Sequence, residues 1–232
     1  MRITTKIVSI AASAALIAGA GAMAAAPAGA AGKLPQPQGS TVITVPIALI
    51  TAATGAGVTI APIEPAAADA TMENVAIDFP VTGPNADGAV YHLGGLGITS
   101  AKTSVNLTWS KPTIEWPTSG DGKSAIIKGV IAGVPAGSGF EALNGQNATL
   151  FDVKNMVIKD TKGKIVKNGK KGFKRTDTQT ITGDVSVVDN KTVVDILNGL
   201  LGVPLFTAAM PFGSLESVST VTHICKTKKA CS

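Results

Sequence analysis

Short runs in which apolar and polar residues alternate, separated by turns rich in glycine and proline, recur along this chain of 232 residues. Val105, Leu107 and Trp109, for example, alternate with polar neighbours, as in a strand with one buried face. Aromatic residues make up only 4% of the chain, so its core must consist mainly of Val, Ile, Leu and Ala. The pattern therefore predicts a domain built mostly of strands.

Two segments have a helical pattern instead. Residues 46–54 are rich in alanine and end before Gly55, which favours a short helix with proline at its start. Residues 191–201 carry an apolar stripe, with Asn190 able to cap the start and Gly202 the end. Many short strands with two small helices indicate a β-sandwich or a partly open barrel. We predict the all-β sandwich of two antiparallel sheets with two short helices.

Alternating runs and continuous apolar runs place the individual strands. A turn is expected at residues 84–88, which read Pro-Asn-Ala-Asp-Gly. We predict strands at 42–45, 58–63, 75–79, 89–93, 105–109, 114–116, 124–131, 150–153, 156–158, 180–188, 203–206 and 217–223.

The N-terminus has the pattern of an export signal. Arg2 and Lys6 precede an uncharged apolar stretch, and Ala28-Gly29-Ala30 follows it, which is the order that a signal peptidase reads. An uncleaved membrane anchor is the alternative, but a spanning helix needs roughly 20 strongly apolar residues, and this segment is mainly Ala and Gly. We therefore predict a signal peptide at 1–30, a linker at 31–40 and one domain at 41–232. The mature protein is expected to be secreted or associated with the cell wall, with no transmembrane segment.

Both cysteines, Cys225 and Cys231, lie in the last eight residues of the chain. In an oxidising compartment we expect them to form a disulfide that closes a small lysine-rich loop. Two thiols with only His223 nearby are one ligand short of a closed structural zinc site, so no metal is expected.

Positive charge is concentrated between residues 154 and 175, where nine basic residues accompany a single acid, Asp160. One interpretation is a basic loop that contacts an anionic component of the cell envelope. The other is a solvated hairpin that lysine keeps soluble. Nucleic acid is not expected as a partner, because the protein is exported and the segment offers only Phe173 for stacking. The candidate contact residues are Lys164, Lys167, Lys170, Lys171, Lys174 and Arg175.

Residues suited to catalysis are few. The chain has two histidines and one tyrosine, and neither a nucleophile elbow nor a zinc-protease motif occurs in it. We therefore expect no enzymatic activity. A hydrolase of envelope polymers stays open as an alternative, since acids such as Glu64, Asp78, Glu115 and Asp152 could meet in space.

The segment 88–96 contains the only tyrosine, Tyr91, directly beside His92. In a strand these two side chains point to opposite faces. Either residue could bind haem or a metal. Alternatively Tyr91 packs in the aromatic-poor core while His92 faces solvent, and we expect this second arrangement.

Several short motifs in order resemble secreted actinobacterial proteins whose central part is similar to the HtaA domain of corynebacterial haem uptake. The resemblance implies a two-sheet β-sandwich and haem held by a tyrosine that a histidine supports. That tyrosine belongs to an aromatic N-terminal segment, whereas residues 41–63 here contain no Trp, Tyr, Phe or His, so its role is not transferred to Tyr91. The motifs are VTIAPI at 58–63, IDFPV at 77–81, GAVYHLGGL at 88–96, VNLT at 105–108 and LFDV at 150–153.

Three functions follow from the sequence. We first expect a non-catalytic binding or structural protein that holds no cofactor. The second possibility is a haem-binding module with Tyr91, His92 or His223 as ligands, and the third is the envelope hydrolase.

Overall fold

The computed structural model describes residues 39–82, 89–116, 122–169 and 172–231. The predicted signal peptide, most of the linker, the turn at 84–88 and the residues Lys170 and Lys171 lie outside these ranges. The first strand begins at Gly39, two residues before the predicted start of the domain.

The described chain consists mostly of strands, with two short helices, as the alternation predicted. The strands are β1 Gly39–Pro46, β2 Val58–Ile63, β3 Ala67–Ala70, β4 Asn74–Pro80, β5 Ala89–Tyr91, β6 Gly95–Ser100, β7 Val105–Glu115, β8 Ala125–Ala132, β9 Asn147–Thr161, β10 Val166–Lys167, β11 Phe173–Val187 and β12 Pro211–Cys225. The helices are α1 Ile47–Gly55 and α2 Lys191–Leu201.

All of these strands belong to one antiparallel sheet, in the order β2-β6-β7-β8-β9-β11-β12-β1-β4-β3, with β10 beside β11 and β5 beside β7. The expected division into two separate sheets is therefore not found among the described strands. Bulges interrupt the pairing of β7 with β8, of β8 with β9 and of β11 with both of its neighbours. Each bulge increases local twist and bends its strand, so the sheet curls on itself.

The curled sheet nearly closes into a barrel at the end of β4. An isolated bridge pairs Val81 with His92. Backbone hydrogen bonds of 2.9 Å run from Thr82 N to the Tyr91 carbonyl and from Leu93 N to the Pro80 carbonyl. Because β5 also pairs with β7, these bonds connect β4 to the opposite part of the sheet.

The interior is aliphatic around a few aromatic rings. Trp109 is buried, and its ring meets Phe151 edge-on with centroids 5.5 Å apart. Gly129 on the neighbouring strand makes room for it, since a Cβ there would lie 2.3 Å from Nε1 of Trp109. Buried residues of β8, including Ile127, alternate with partly buried ones, although the sequence there is an apolar run.

Helix α2 has the bounds that the sequence predicted. The Asn190 side chain accepts hydrogen bonds from the amides of Thr192 and Val193, and Gly202 ends the helix in the left-handed conformation at φ 68°. The four buried residues of its apolar stripe pack into the core and are Val194, Leu197, Leu200 and Leu201.

The strands differ from the predictions in several regions. β3, β6 and β10 were not predicted. The two strands expected at 105–109 and 114–116 are one strand, β7, and β12 begins at Pro211 rather than at residue 217. The two short strands expected at 150–153 and 156–158 are one strand, β9, and β11 begins at Phe173 rather than at residue 180. The predicted loop at 154–175 is therefore largely extended structure. No strand forms at 203–206 in the described chain.

Candidate functional site

The strands β9, β11 and β12 extend beyond their neighbours and form a projecting ribbon. Strand β8 pairs with β9 only as far as Val153, and described pairing of β1 with β12 stops at Ser219. Pairing of β11 with β12 continues to Cys225. We call residues 157–169, 173–180 and 220–231 the distal arm.

The distal arm is strongly basic. Its acids within the described residues are Asp160 and Asp177. Its lysines are all exposed and are Lys159, Lys162, Lys164, Lys167, Lys174, Lys226, Lys228 and Lys229.

Two segments distant in sequence supply these lysines. Phe173 at the start of β11 pairs with Cys225 at the end of β12, so the cysteine loop lies beside the strand that carries Lys174. The backbones of these two segments approach closely, since a Cβ on Gly172 would lie 2.3 Å from the Cys225 carbonyl oxygen. Cys225 and Cys231 stand at disulfide distance, with Cα atoms 5.5 Å apart, which agrees with the predicted bond.

Both acids of the arm are already engaged. Arg175 donates to Oδ2 of Asp177 from Nε at 3.1 Å and from Nη2 at 2.8 Å. Nε2 of His223 lies 3.1 Å from the same oxygen, and the Gly163 amide donates to Oδ1 at 3.0 Å. Asp160 accepts a hydrogen bond of 3.0 Å from the Gln179 amide.

The pKa of Asp177 reflects this environment. Desolvation by itself raises the pKa of this carboxyl, but the hydrogen bonds from Arg175 and Gly163 and the nearby positive charges outweigh it. The net result is a pKa below the ordinary value. Asp177 is thus a charged anchor within the arm. Arg175 also donates to the Cys231 carbonyl, so it differs from the outward lysines with which it was grouped.

A shallow cleft of about 350 Å³ lies on the arm beside these groups. Gln179, Ser219 and Val221 contribute to its floor and walls together with Asp160, Asp177 and His223. Its polar groups can donate and accept hydrogen bonds, but both of its carboxylates already have partners.

Tyr91 and His92 have the reverse of the expected orientation. Tyr91 is 44% exposed and His92 only 4% exposed, so the expectation of a core tyrosine and a solvent-facing histidine is wrong. The two side chains do lie on opposite faces. The His92 side chain points inward because its segment pairs with both the end of β4 and β7, where the sheet nearly closes into a barrel.

Both ring nitrogens of His92 have hydrogen-bond partners. Nδ1 lies 2.8 Å from the Pro112 carbonyl, which can only accept, so this nitrogen carries a proton. Nε2 lies 2.6 Å from Oγ1 of Thr41, and Oγ1 in turn lies 2.7 Å from Oγ of Ser217. Thr41 donates the bond to Ser217, so its hydroxyl connects the imidazole to the Ser217 side chain.

Burial makes His92 a poor ligand for haem or a metal. It lowers the pKa of the imidazole to about 4, although the hydrogen bond with Pro112 partly opposes this shift. The adjoining cavity, lined by residues that include Phe79 and Ile114, measures about 10 Å³, room for about one water. The neutral ring therefore functions in this structure as part of an internal polar network.

The remaining candidate residues are dispersed. Tyr91 pairs with Thr113 on β7, whereas His223 pairs with Arg175 in the arm. Glu115 forms an ion pair of 2.6 Å with Lys128. Across the ranges that the structure describes, no three His, Cys, Asp or Glu residues are grouped as metal ligands.

The sequence analysis missed Thr41 and Ser217. Both are polar residues at inward positions, in step with Ile43 on β1 and with Leu215 on β12. A polar residue in phase with the apolar face of a strand is the signal that could have identified this network.

Together these features define a single-sheet, barrel-like β domain with a basic projecting arm. No protein-family model matches the chain, and no curated protein matches it in sequence. Among solved structures it is similar to the haem-binding protein HtaB from Corynebacterium glutamicum, at 13% identity and a TM-score of 0.49 over 81% of this chain and 95% of that one. At this level of similarity, neither haem binding nor any ligand residue carries over to this chain. No helix in the described part of the chain is long and apolar enough to cross a membrane.

Proposed function

We propose that this chain is a non-catalytic, secreted protein that binds a polyanionic component of the cell envelope through the distal arm. The observation that carries the proposal is the convergence of two lysine groups, one on β9 to β11 and the other in the cysteine loop after β12. Because the two groups are far apart in the sequence, only the fold brings them together.

The electrostatics support an anionic partner. Clustered like charges repel one another and raise the local potential, which a partner of opposite sign relieves. The two acids of the arm offset only part of this charge, because the arm carries eight lysines and Asp177 already pairs with Arg175. Phosphate-rich or carboxylate-rich polymers and acidic lipid headgroups share the required chemistry.

The test compares two matched charge reversals. Lys174→Glu combined with Lys229→Glu changes the arm, whereas Lys102→Glu combined with Lys111→Glu changes exposed lysines elsewhere by the same net charge. Inorganic polyphosphate and polyglutamate are the probes, and calorimetry measures the dissociation constant. We expect about tenfold weaker binding for the arm variant alone, with wild-type affinity falling as salt rises. Equal effects of both variants, or binding that salt does not weaken, would refute the proposal.

Haem binding remains the competing hypothesis from sequence, and a haemin titration separates it from the proposal. A saturable Soret shift at one equivalent that is lost in Tyr91→Phe or His223→Ala would favour the haem module. Hydrolysis of an envelope polymer that a single carboxylate-to-amide change abolishes would favour the enzyme.

A further inference from the structure

We infer that the anionic partner is a membrane surface containing acidic lipids, which the distal arm contacts with both charge and exposed apolar side chains. This inference rests on the proposed function and specifies its partner. It starts from one row of side chains across the arm. Val166 on β10 pairs with Lys174 on β11, and Lys174 pairs with Ile224 on β12.

Residues paired directly across antiparallel strands point to the same face of a sheet. Val166 and Ile224 therefore flank Lys174 on one face. They are 52% and 65% exposed, respectively. Two water-exposed apolar side chains therefore stand on either side of one lysine.

This combination distinguishes a lipid surface from a soluble polymer. A polyphosphate chain interacts with the lysine ammonium groups but buries little apolar surface. At a bilayer interface, Val and Ile can enter the headgroup region while the lysine stem lies along them and its ammonium remains at the phosphates. Juxtaposed lysines add attraction to acidic headgroups.

The arm presents this row on a constrained scaffold. Strands β10, β11 and β12 are paired at this end of the sheet, and the cysteine pair closes the loop that carries Lys226 and Lys229. Such a scaffold limits the conformational entropy that is lost when the side chains engage a surface.

The chain contains a matched control for the apolar row. Val157 is 61% exposed and pairs with Thr182, eight residues along β11 from Lys174. Substitution of Val157 by Thr removes about as much exposed apolar surface from the same ribbon as Val166→Thr alone, but it leaves the end of the arm unchanged.

The experiment measures co-sedimentation of residues 31–232 with phosphatidylcholine vesicles that contain or lack phosphatidylglycerol. We expect binding only with phosphatidylglycerol. Val166→Thr combined with Ile224→Thr should weaken vesicle binding about tenfold and leave polyphosphate binding unchanged. The control Val157→Thr should bind vesicles as the wild type does. Lys174→Glu with Lys229→Glu should weaken binding to both vesicles and polyphosphate.

The outcomes separate the two proposals. Binding to polyphosphate without binding to acidic vesicles would overturn the membrane inference and leave the polyanion proposal standing. Equal vesicle binding by the apolar double variant and wild type, or equal binding to neutral vesicles, would also overturn it. Absence of binding to every anionic probe would overturn both. Circular dichroism of each variant establishes that it is folded.

Discussion

Nε2 of His92 lies 2.6 Å from Oγ1 of Thr41, and both side chains are buried within the curled sheet. Thr41 belongs to β1, Ser217 beyond it to β12, and the Pro112 carbonyl on the other side of the ring to β7. The network therefore connects strands that are distant along the sheet and lies where the sheet approaches closure. Every polar group of the network needs its hydrogen-bond partner, because an unpaired polar group in such an interior lowers the stability of the fold.

The free energy of unfolding is expected to fall as acid protonates His92. Its pKa is lowered to about 4 in the folded protein from 6.5, so the unfolded chain binds the proton more readily. The stability associated with the neutral ring is complete above about pH 6.5 and is lost as pH falls towards 4, by about 3 kcal/mol. Urea denaturation at several pH values measures this change.

His92→Gln is the control for that pH dependence. It removes the titrating group while the carboxylates, including Asp177 with its lowered pKa, still titrate in both proteins. The variant should be less stable at pH 7 but lose less stability between pH 7 and 4. Parallel pH profiles would contradict the assignment to His92.

Thr41→Val should destabilise the protein by about 1–3 kcal/mol, because it leaves Nε2 of His92 and Oγ of Ser217 without their hydroxyl partner inside the sheet. Thr41→Ser retains the hydroxyl and should recover most of this loss. Chemical denaturation compares the two variants. Equal stability of Thr41→Val and wild type would show that the network contributes little.

Gly129→Ala should destabilise the core by about 1–3 kcal/mol. The new Cβ would lie 2.3 Å from Nε1 of Trp109, so the buried indole or its strand must move. Tryptophan fluorescence and denaturation midpoints report the change. Gly55→Ala is the comparison, since nothing lies within 4 Å of a Cβ there, and it should leave stability unchanged or slightly higher.

Reduction of the Cys225–Cys231 pair should lower stability by about 2 kcal/mol, in the chain-entropy account of a short closed loop. It should also weaken binding to acidic vesicles, because Lys226 and Lys229 are no longer held beside β11. Thermal unfolding and vesicle binding with and without reductant measure both effects. The variant Cys225→Ser with Cys231→Ser should match the reduced protein and show no response to reductant.

Local sequence signals were sufficient for some elements. Helix α2 was predicted with its observed bounds, because its apolar stripe, Asn190 and Gly202 all act within a few residues of each other. Strand β2 was also predicted with its observed bounds, from the β character of the residues that follow Gly57. The long strands of the arm were not, because their outer halves bury little on either face and so lack a clear apolar period.

The sequence by itself determined a β-rich chain with two short helices, an aliphatic core and two cysteines with only each other as partners. Only the tertiary structure decided that one continuous sheet forms, since strand order depends on pairings between distant segments. It also decided which face of β5 is interior. Alternation places Tyr91 and His92 on opposite faces, but the choice between those faces depends on the strands that meet at the seam. The lysines of the arm likewise converge only because β11 pairs with β12 along its full length.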